Sequence, residues 1–163
     1  MQVDNHKNKV AHENLLKNSD TLFVFIIILG FILEKLIPLT FKEFIPRYIC
    51  IMLGIIFLFL GISIIIKTKL DFKKHNQSTL PNKATTKLIT IGFFKYSRNP
   101  LYLSIIIILF GLGIITDILW LIILIPLAII SIQIILIKPE ERYLSEKFGE
   151  NYKKYFKNTR RWI

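Results

Sequence analysis

Cysteine is nearly absent from this chain. Its single copy, Cys50, can form no disulfide within the chain, so redox chemistry says nothing about compartment. Histidine is scarce as well: His6, His12 and His75 lie apart in polar segments, with no H-E-x-x-H and no Cys/His cluster, so no metal is expected. Acidic residues number 11 against 22 Lys and Arg, a formal charge of +11. Glycine (7) and proline (6) are sparse, and no G-x-G-x-x-G follows a strand-like run. What is abundant is apolar: 53% of 163 residues, which excludes a solvated, disordered chain.

The apolar residues are not interleaved with charge as in a soluble globule. Tyr48–Ile66, Pro100–Thr116 and Ile118–Ile137 are uncharged runs of 19, 17 and 20 residues, against the roughly 20 that span a bilayer as helix. A fourth run, Thr21–Leu33, is 13 residues long, and it lengthens if Glu34 and Lys35 sit at an interface where Lys can snorkel. No small-x-small cleavage site follows it, so the reading is a retained helix rather than a signal peptide. The expectation is an all-α polytopic membrane protein of one domain, 21–163, behind a polar arm at 1–20. Four transmembrane helices are expected at 21–39, 48–66, 100–116 and 118–137, with a cytoplasmic loop at 67–99 and a cytoplasmic tail at 138–163. The third and fourth, split only by Thr116-Asp117, should form an antiparallel hairpin, and Pro126 should kink the fourth.

Charge sets the expected orientation. Nineteen Lys and Arg lie in the arm, the central loop and the tail, against three (Lys35, Lys42, Arg47) around the first connection. Both termini and the central loop are therefore expected in the cytoplasm, with membrane lipids as neighbours. Topology accounts for the basic excess, and without a basic stripe interleaved with aromatics no nucleic-acid partner is expected. The tail should form two short helices: Pro139 and Glu140-Glu141 suit a first turn, Phe148-Gly149 a break, and Tyr152, Tyr155 and Phe156 recur at helical spacing.

The hairpin would carry Arg98 to Tyr102 and Glu140-Glu141 to the same membrane face. Acids facing Arg and Tyr in a partly desolvated cleft are a candidate functional site. Each residue also has a plainer reading. Asn99-Pro100 suits an N-cap with Pro at the first helical position, Arg98 a basic flank, Tyr102 an interface anchor, and the two acids a helix dipole.

In order and spacing, Gly92-x5-Arg98-Asn99-Pro100-Leu101-Tyr102, an apolar hairpin, Glu140-Glu141, then Phe148-Gly149-x2-Tyr152-x2-Tyr155 and Arg160, this half of the chain resembles the isoprenylcysteine carboxyl methyltransferase family. Thr79-Leu80-Pro81 looks like that family's preceding loop. The related phospholipid methyltransferases share the N-P-x-Y and E-E elements. Two departures are Asn99, where the family has His, and Ser104, where it has Gly; the compact form looks bacterial, which suggests the inner membrane.

The resemblance implies a membrane-embedded, S-adenosylmethionine-dependent methyltransferase without a Rossmann domain, acting on a lipophilic acceptor, prenylcysteine-like or lipid, at the cytoplasmic leaflet. It implies a cofactor pocket lined by Gly92, Arg98, Asn99, Pro100 and Tyr102 on one wall and Glu140 and Glu141 on the other. Arg98 and Tyr102 would serve the reaction, and Arg160 or Arg161 would close the pocket. A carboxylate acceptor needs no general base, whereas an amine must first shed a proton, for which Glu141 or Tyr102 could serve. Phospholipid N-methylation, thiol S-methylation and a non-catalytic scaffold are the alternatives. Gly111-Leu112-Gly113 reads as small-residue helix packing rather than a cofactor loop.

Overall fold

Away from water a backbone N–H or C=O must pair within its own segment, and the apolar runs accordingly become helices. The computed structural model describes residues 19–40, 44–77 and 85–163. It contains α1 (Ser19–Leu36), α2 (Arg47–Lys74), a 3-10 turn (Gly92–Lys95), α3 (Pro100–Thr116), α4 (Leu119–Ile123), α5 (Ile125–Ile132), a π-turn (Gln133–Ile137), α6 (Lys138–Phe148) and α7 (Glu150–Asn158). No strand occurs among the described residues. The expected arm falls almost wholly outside them, as do Lys42 and the Thr79-Leu80-Pro81 loop.

Among the described residues two helices are long and apolar enough to cross a membrane: α2, with 28 residues, and the continuous stretch Leu119–Phe148, with 30. α3 has 17 residues, and the 18 of α1 include Asp20, Glu34 and Lys35. Large apolar side chains cover the outer surfaces of α1 and α2, among them Phe25, Phe31, Met52, Ile55 and Phe59, as suits contact with lipid rather than water.

Two boundaries differ from the sequence reading. α2 does not end at 66 but continues to Lys74. Lys67–Lys74 contains no Gly or Pro, and Lys73 and Lys74 in its last turn complement the helix dipole. At ~1.5 Å per residue the helix is about 42 Å long, against a hydrocarbon core of about 30 Å, so its charged end projects beyond the apolar layer.

The second difference is that the last apolar run and the tail are not separate. The helix breaks at Leu124, beside Pro126, as expected, then runs on through α6. Between them the chain widens into a π-turn, in which the Lys138 N–H bonds the Gln133 carbonyl. Pro139 explains the widening, because it offers no N–H and its ring crowds the carbonyl four residues back. The inserted residue also turns Glu140 and Glu141 by about 100° relative to the apolar stripe of α5.

α3 is the central element. Gly54 and Gly61 of α2 cross it closely: a Cβ on Gly61 would lie 2.8 Å from the Ser104 carbonyl, and one on Gly54 2.8 Å from that of Gly111. The Gly111-x-Gly113 pair is thus helix packing, and Ser104 faces a neighbouring helix, its hydroxyl bonded to the Leu101 carbonyl at 2.6 Å. Asp117 caps α3 in a left-handed conformation (φ 61°), and the chain turns back antiparallel into α4. Phe23, Ile26, Leu109, Leu121, Ala128, Ile132 and Leu136 form the main core. A smaller apolar cluster of Ile89, Phe94, Tyr152 and Tyr155 sits at the charged end.

Candidate active site

The hairpin and the π-turn bring the start of α3 and the start of α6 together, and Glu141 marks the junction. One of its oxygens accepts from Arg98 Nη2 at 2.8 Å, and the other from Arg161 Nη2 at 2.7 Å. Both guanidiniums add an Nε bond to Oε1, at 3.3 and 3.1 Å. Side-chain exposures are 7% for Arg98, 12% for Glu141 and 26% for Arg161. Burial acts to raise the Glu141 pKa, but hydrogen bonds and charge from Arg161 and Arg98 prevail and hold it below the ordinary value of 4.5. The same bonding raises the pKa of Arg161.

Arg98 does more than pair with one acid. Its Nη1 donates to the Phe156 carbonyl at 3.0 Å and to the Thr159 carbonyl, and its guanidinium stacks 3.9 Å from the centre of the Phe156 ring. Its own backbone N–H bonds the Arg160 carbonyl at 2.9 Å. Asn99 is not a side-chain cap of α3; its Nδ2 donates instead to the Arg161 carbonyl at 3.1 Å, while Pro100 occupies the first turn as expected. Ser97, buried, donates to the same carbonyl at 3.2 Å and accepts the Asn99 N–H. Trp162 Nε1 reaches Gln133 Oε1 at 3.4 Å. Residues 97–99 thus strap residues 159–161 across the end of the hairpin, and Gln133 holds Trp162.

Glu140 is in the opposite situation to its neighbour. It lies beyond the apolar part of its helix, hydrogen-bonded to Tyr102. Burial, then repulsion by Glu141, push its pKa up to about 7 in spite of the Tyr102 bond. The phenols are raised too, Tyr152 to about 12 by burial and then by Glu141, Tyr155 by burial. Tyr155 OH donates to the Phe94 carbonyl at 2.8 Å, fixing α7 to the 3-10 turn.

A cleft of about 60 Å³ lies between these groups, lined by Arg98, Asn99, Glu140, Glu141 and Tyr152, with Phe94 among its apolar walls. Tyr102 borders it through Glu140, and Pro100 is buried at the head of α3. Gly92 is not brought there. It stands in a separate groove beside Asp71, with φ +60°, where a Cβ would collide with the Asp71 carboxylate. Arg160 contributes its backbone carbonyl; Arg161 is the residue that joins the acid.

Sequence reasoning had no role for Ser97, Gln133 or the Phe156 ring against Arg98. Only the placing of Tyr152, Tyr155 and Phe156 at helical spacing hinted that this face of α7 packs inward.

The donor set fits S-adenosylmethionine in kind. Carboxylate oxygens suit its ribose hydroxyls and amine, and cations suit its carboxylate. In size, the cleft of about 60 Å³ is smaller than the roughly 300–1,000 Å³ of small-molecule sites. A protein-family model described as phospholipid methyltransferase matches residues 49–151, from the third residue of α2 to the start of α7. No curated protein and no solved structure matches the chain.

Proposed function

We propose, from the premise that this chain belongs to the phospholipid methyltransferase family, that it transfers a methyl group from S-adenosylmethionine to the amine of a membrane lipid. The observation that carries the choice of acceptor is the contrast between Glu140 and Glu141. Two adjacent carboxyls in opposed environments separate into different roles. Glu141 is held ionised between Arg98 and Arg161 and acts as a positioning residue for the strap. Glu140, with a pKa of about 7, gains or loses a proton near neutrality.

An alkylammonium has a pKa near that of Lys, ~10.4, and carries no lone pair until it is deprotonated. Glu140 accepts that proton, while Tyr102 fixes the carboxyl that takes it. When bound, the cofactor would supply a methyl group on a sulfonium sulfur, the new C–N bond replacing the C–S bond and leaving a neutral thioether. Positioning of the two reactants supplies much of the rate. Glu140 and Asn99 would hold the cofactor's polar groups, with Pro100 and Tyr152 as walls.

In this reading α1, α2, α3 and Leu119–Ile137 make four spans, with both termini and the 67–99 loop cytoplasmic. The 19-to-3 distribution of Lys and Arg supports that orientation, and the compact form suggests a bacterial inner membrane. The acceptor arrives laterally from the bilayer and the cofactor from the aqueous side.

A second reading is carboxyl O-methylation of a prenylcysteine-like acceptor. It is favoured by the excess of one positive charge in the Arg98–Glu141–Arg161 cluster, which suits a carboxylate ligand.

The test of the enzyme reading is calorimetric titration of S-adenosylmethionine into detergent-purified protein, wild type beside Glu140→Gln. Saturable binding, weakened at least tenfold by the substitution, is expected. A folded wild type that binds nothing would leave a non-catalytic scaffold.

A further inference from the structure

On the far side of the Gly92–Lys95 turn from the cleft, α2 and the turn enclose a groove of about 440 Å³. Lys67, Asp71 and Lys74 line it from α2, at helix spacings of four and three that put them on one face. Lys95 and Tyr96 line it from the turn, and Phe93 forms part of its floor. The Lys67 ammonium is held 5.9 Å from the centre of the Phe93 ring, a cation–π arrangement that orders the lysine. Three ammonium groups against the single carboxylate of Asp71 leave the groove two positive charges in excess.

We infer that this groove is a second site on the protein, which holds the phosphate of an anionic membrane phospholipid. Positive flanks are general in membrane proteins, but a flank alone does not converge its charges. Lys69 and Lys73, on the same stretch of α2, lie outside the groove, whereas Lys67, Lys74 and Lys95 share one concavity from two elements. Its volume falls in the range of small-molecule sites, roughly 300–1,000 Å³.

Depth decides the source of the phosphate. Lys67 is the first charged residue after the uncharged stretch Tyr48–Ile66, so it marks the edge of the hydrocarbon. Asp71 lies about 6 Å further along the helix and Lys74 about 10 Å, against a headgroup layer of ~5–7 Å on each face of a bilayer. Exposed Ile66 directly precedes Lys67 on α2, and exposed Leu70 lines the groove itself, so apolar surface is offered to the acyl chains beside the charged groups. A lipid phosphodiester reaches this position without leaving the bilayer. The site goes beyond the methyl-transfer reading and does not depend on it, since Phe93 and Asp71 face the groove while Phe94 and Phe72 face the cleft.

The experiment is native mass spectrometry of the full chain in detergent with added phosphatidylglycerol or phosphatidylcholine. One retained phosphatidylglycerol is expected in preference to phosphatidylcholine, with affinity at least tenfold weaker in Lys67→Gln/Lys74→Gln/Lys95→Gln. The control Lys153→Gln/Lys154→Gln/Lys157→Gln, which removes equal charge from α7, should bind as wild type. Asp71→Asn should bind several-fold more tightly, an outcome that misfolding cannot imitate. Equal retention of the two lipids, equal loss in the control, or no gain in Asp71→Asn would overturn the proposal. So would displacement of the lipid by soluble glycerol phosphate at a comparable concentration, which would assign the groove to a free phosphate.

Discussion

Replacing Glu141 by Gln keeps the shape of the side chain and removes the charge that two arginines share. Removing one member of a buried ion pair costs about 3–5 kcal/mol where the stranded charge stays buried. Here the stranded charges differ. Arg161, about a quarter exposed, can turn to water, whereas Arg98 at 7% cannot. Arg98 nevertheless keeps its bonds to the Phe156 and Thr159 carbonyls and its stacking on Phe156. The cost should therefore fall at or below the low end, about 2–3 kcal/mol. Arg161→Gln leaves the Arg98–Glu141 pair intact and removes a partly screened partner, which should cost about 1 kcal/mol. For a chain of this length 1 kcal/mol moves a melting midpoint by roughly 2–4 °C. Thermal unfolding in lipid nanodiscs should thus place Glu141→Gln some 4–12 °C below wild type and Arg161→Gln about 2–4 °C below. Equal losses in the two variants, or a Glu141→Gln protein within a degree of wild type, would refute the account of Glu141 as the shared anchor of the strap.

Other outcomes follow from the same geometry. Glu140 has a folded pKa of about 7, above its ordinary 4.5, so between those values the folded state holds a proton that the unfolded state has released. Its stabilising contribution is complete below pH 4.5 and is lost as pH rises through 7, on the order of 3 kcal/mol in all. Glu141, with a lowered pKa, contributes above pH 4.5 and loses its contribution only under more acid conditions. Unfolding measured from pH 5 to 8 should show wild-type stability declining and Glu140→Gln nearly level; parallel curves would contradict the assignment. At the helix crossing, Gly61→Ala places a methyl 2.8 Å from the Ser104 carbonyl, a backbone atom that cannot rotate away. It should cost about 1–3 kcal/mol as overpacking, read as a lower melting midpoint, and an unchanged midpoint would show that α2 and α3 part easily.

What the sequence made legible was whatever depends on local pattern. Uncharged runs located every apolar helix, and Pro100–Thr116 matches α3 residue for residue. Asp117 marked the hairpin turn because a polar residue between two apolar runs has few other places to be. The placement of Arg98, Asn99, Glu140 and Glu141 around one cleft also followed from the hairpin. Continuity was harder to read. The charge at Lys67 and at Lys138 looks like a helix end, yet backbone hydrogen bonding runs through both, and only the chain beyond decides where it stops. The π-turn arises from a conflict between Pro139 and an otherwise unbroken helix, which periodicity does not display. Individual roles were least legible. Glu140 and Glu141 are identical in type and adjacent in sequence; Glu141 is held ionised by Arg98 and Arg161, 43 and 20 residues away, whereas Glu140 is raised by burial and by the charge of Glu141. Gly92 belongs to the basic groove because its left-handed conformation packs it on Asp71, a contact with no trace in the spacing of the motif.

The central claim is methyl transfer to a lipid amine with Glu140 as the proton acceptor. Its most direct test uses the purified chain in vesicles containing phosphatidylethanolamine, supplied with methyl-labelled S-adenosylmethionine, the lipid product then being treated with base. The account predicts label that stays on the lipid headgroup through base treatment, with a wild-type rate that rises through pH 7 and a Glu140→Gln rate lower by 10²–10⁴-fold, the usual range for loss of a general base. No label on the lipid would contradict methylation of a lipid amine, and a Glu140→Gln enzyme as fast as wild type would contradict the role given to that residue.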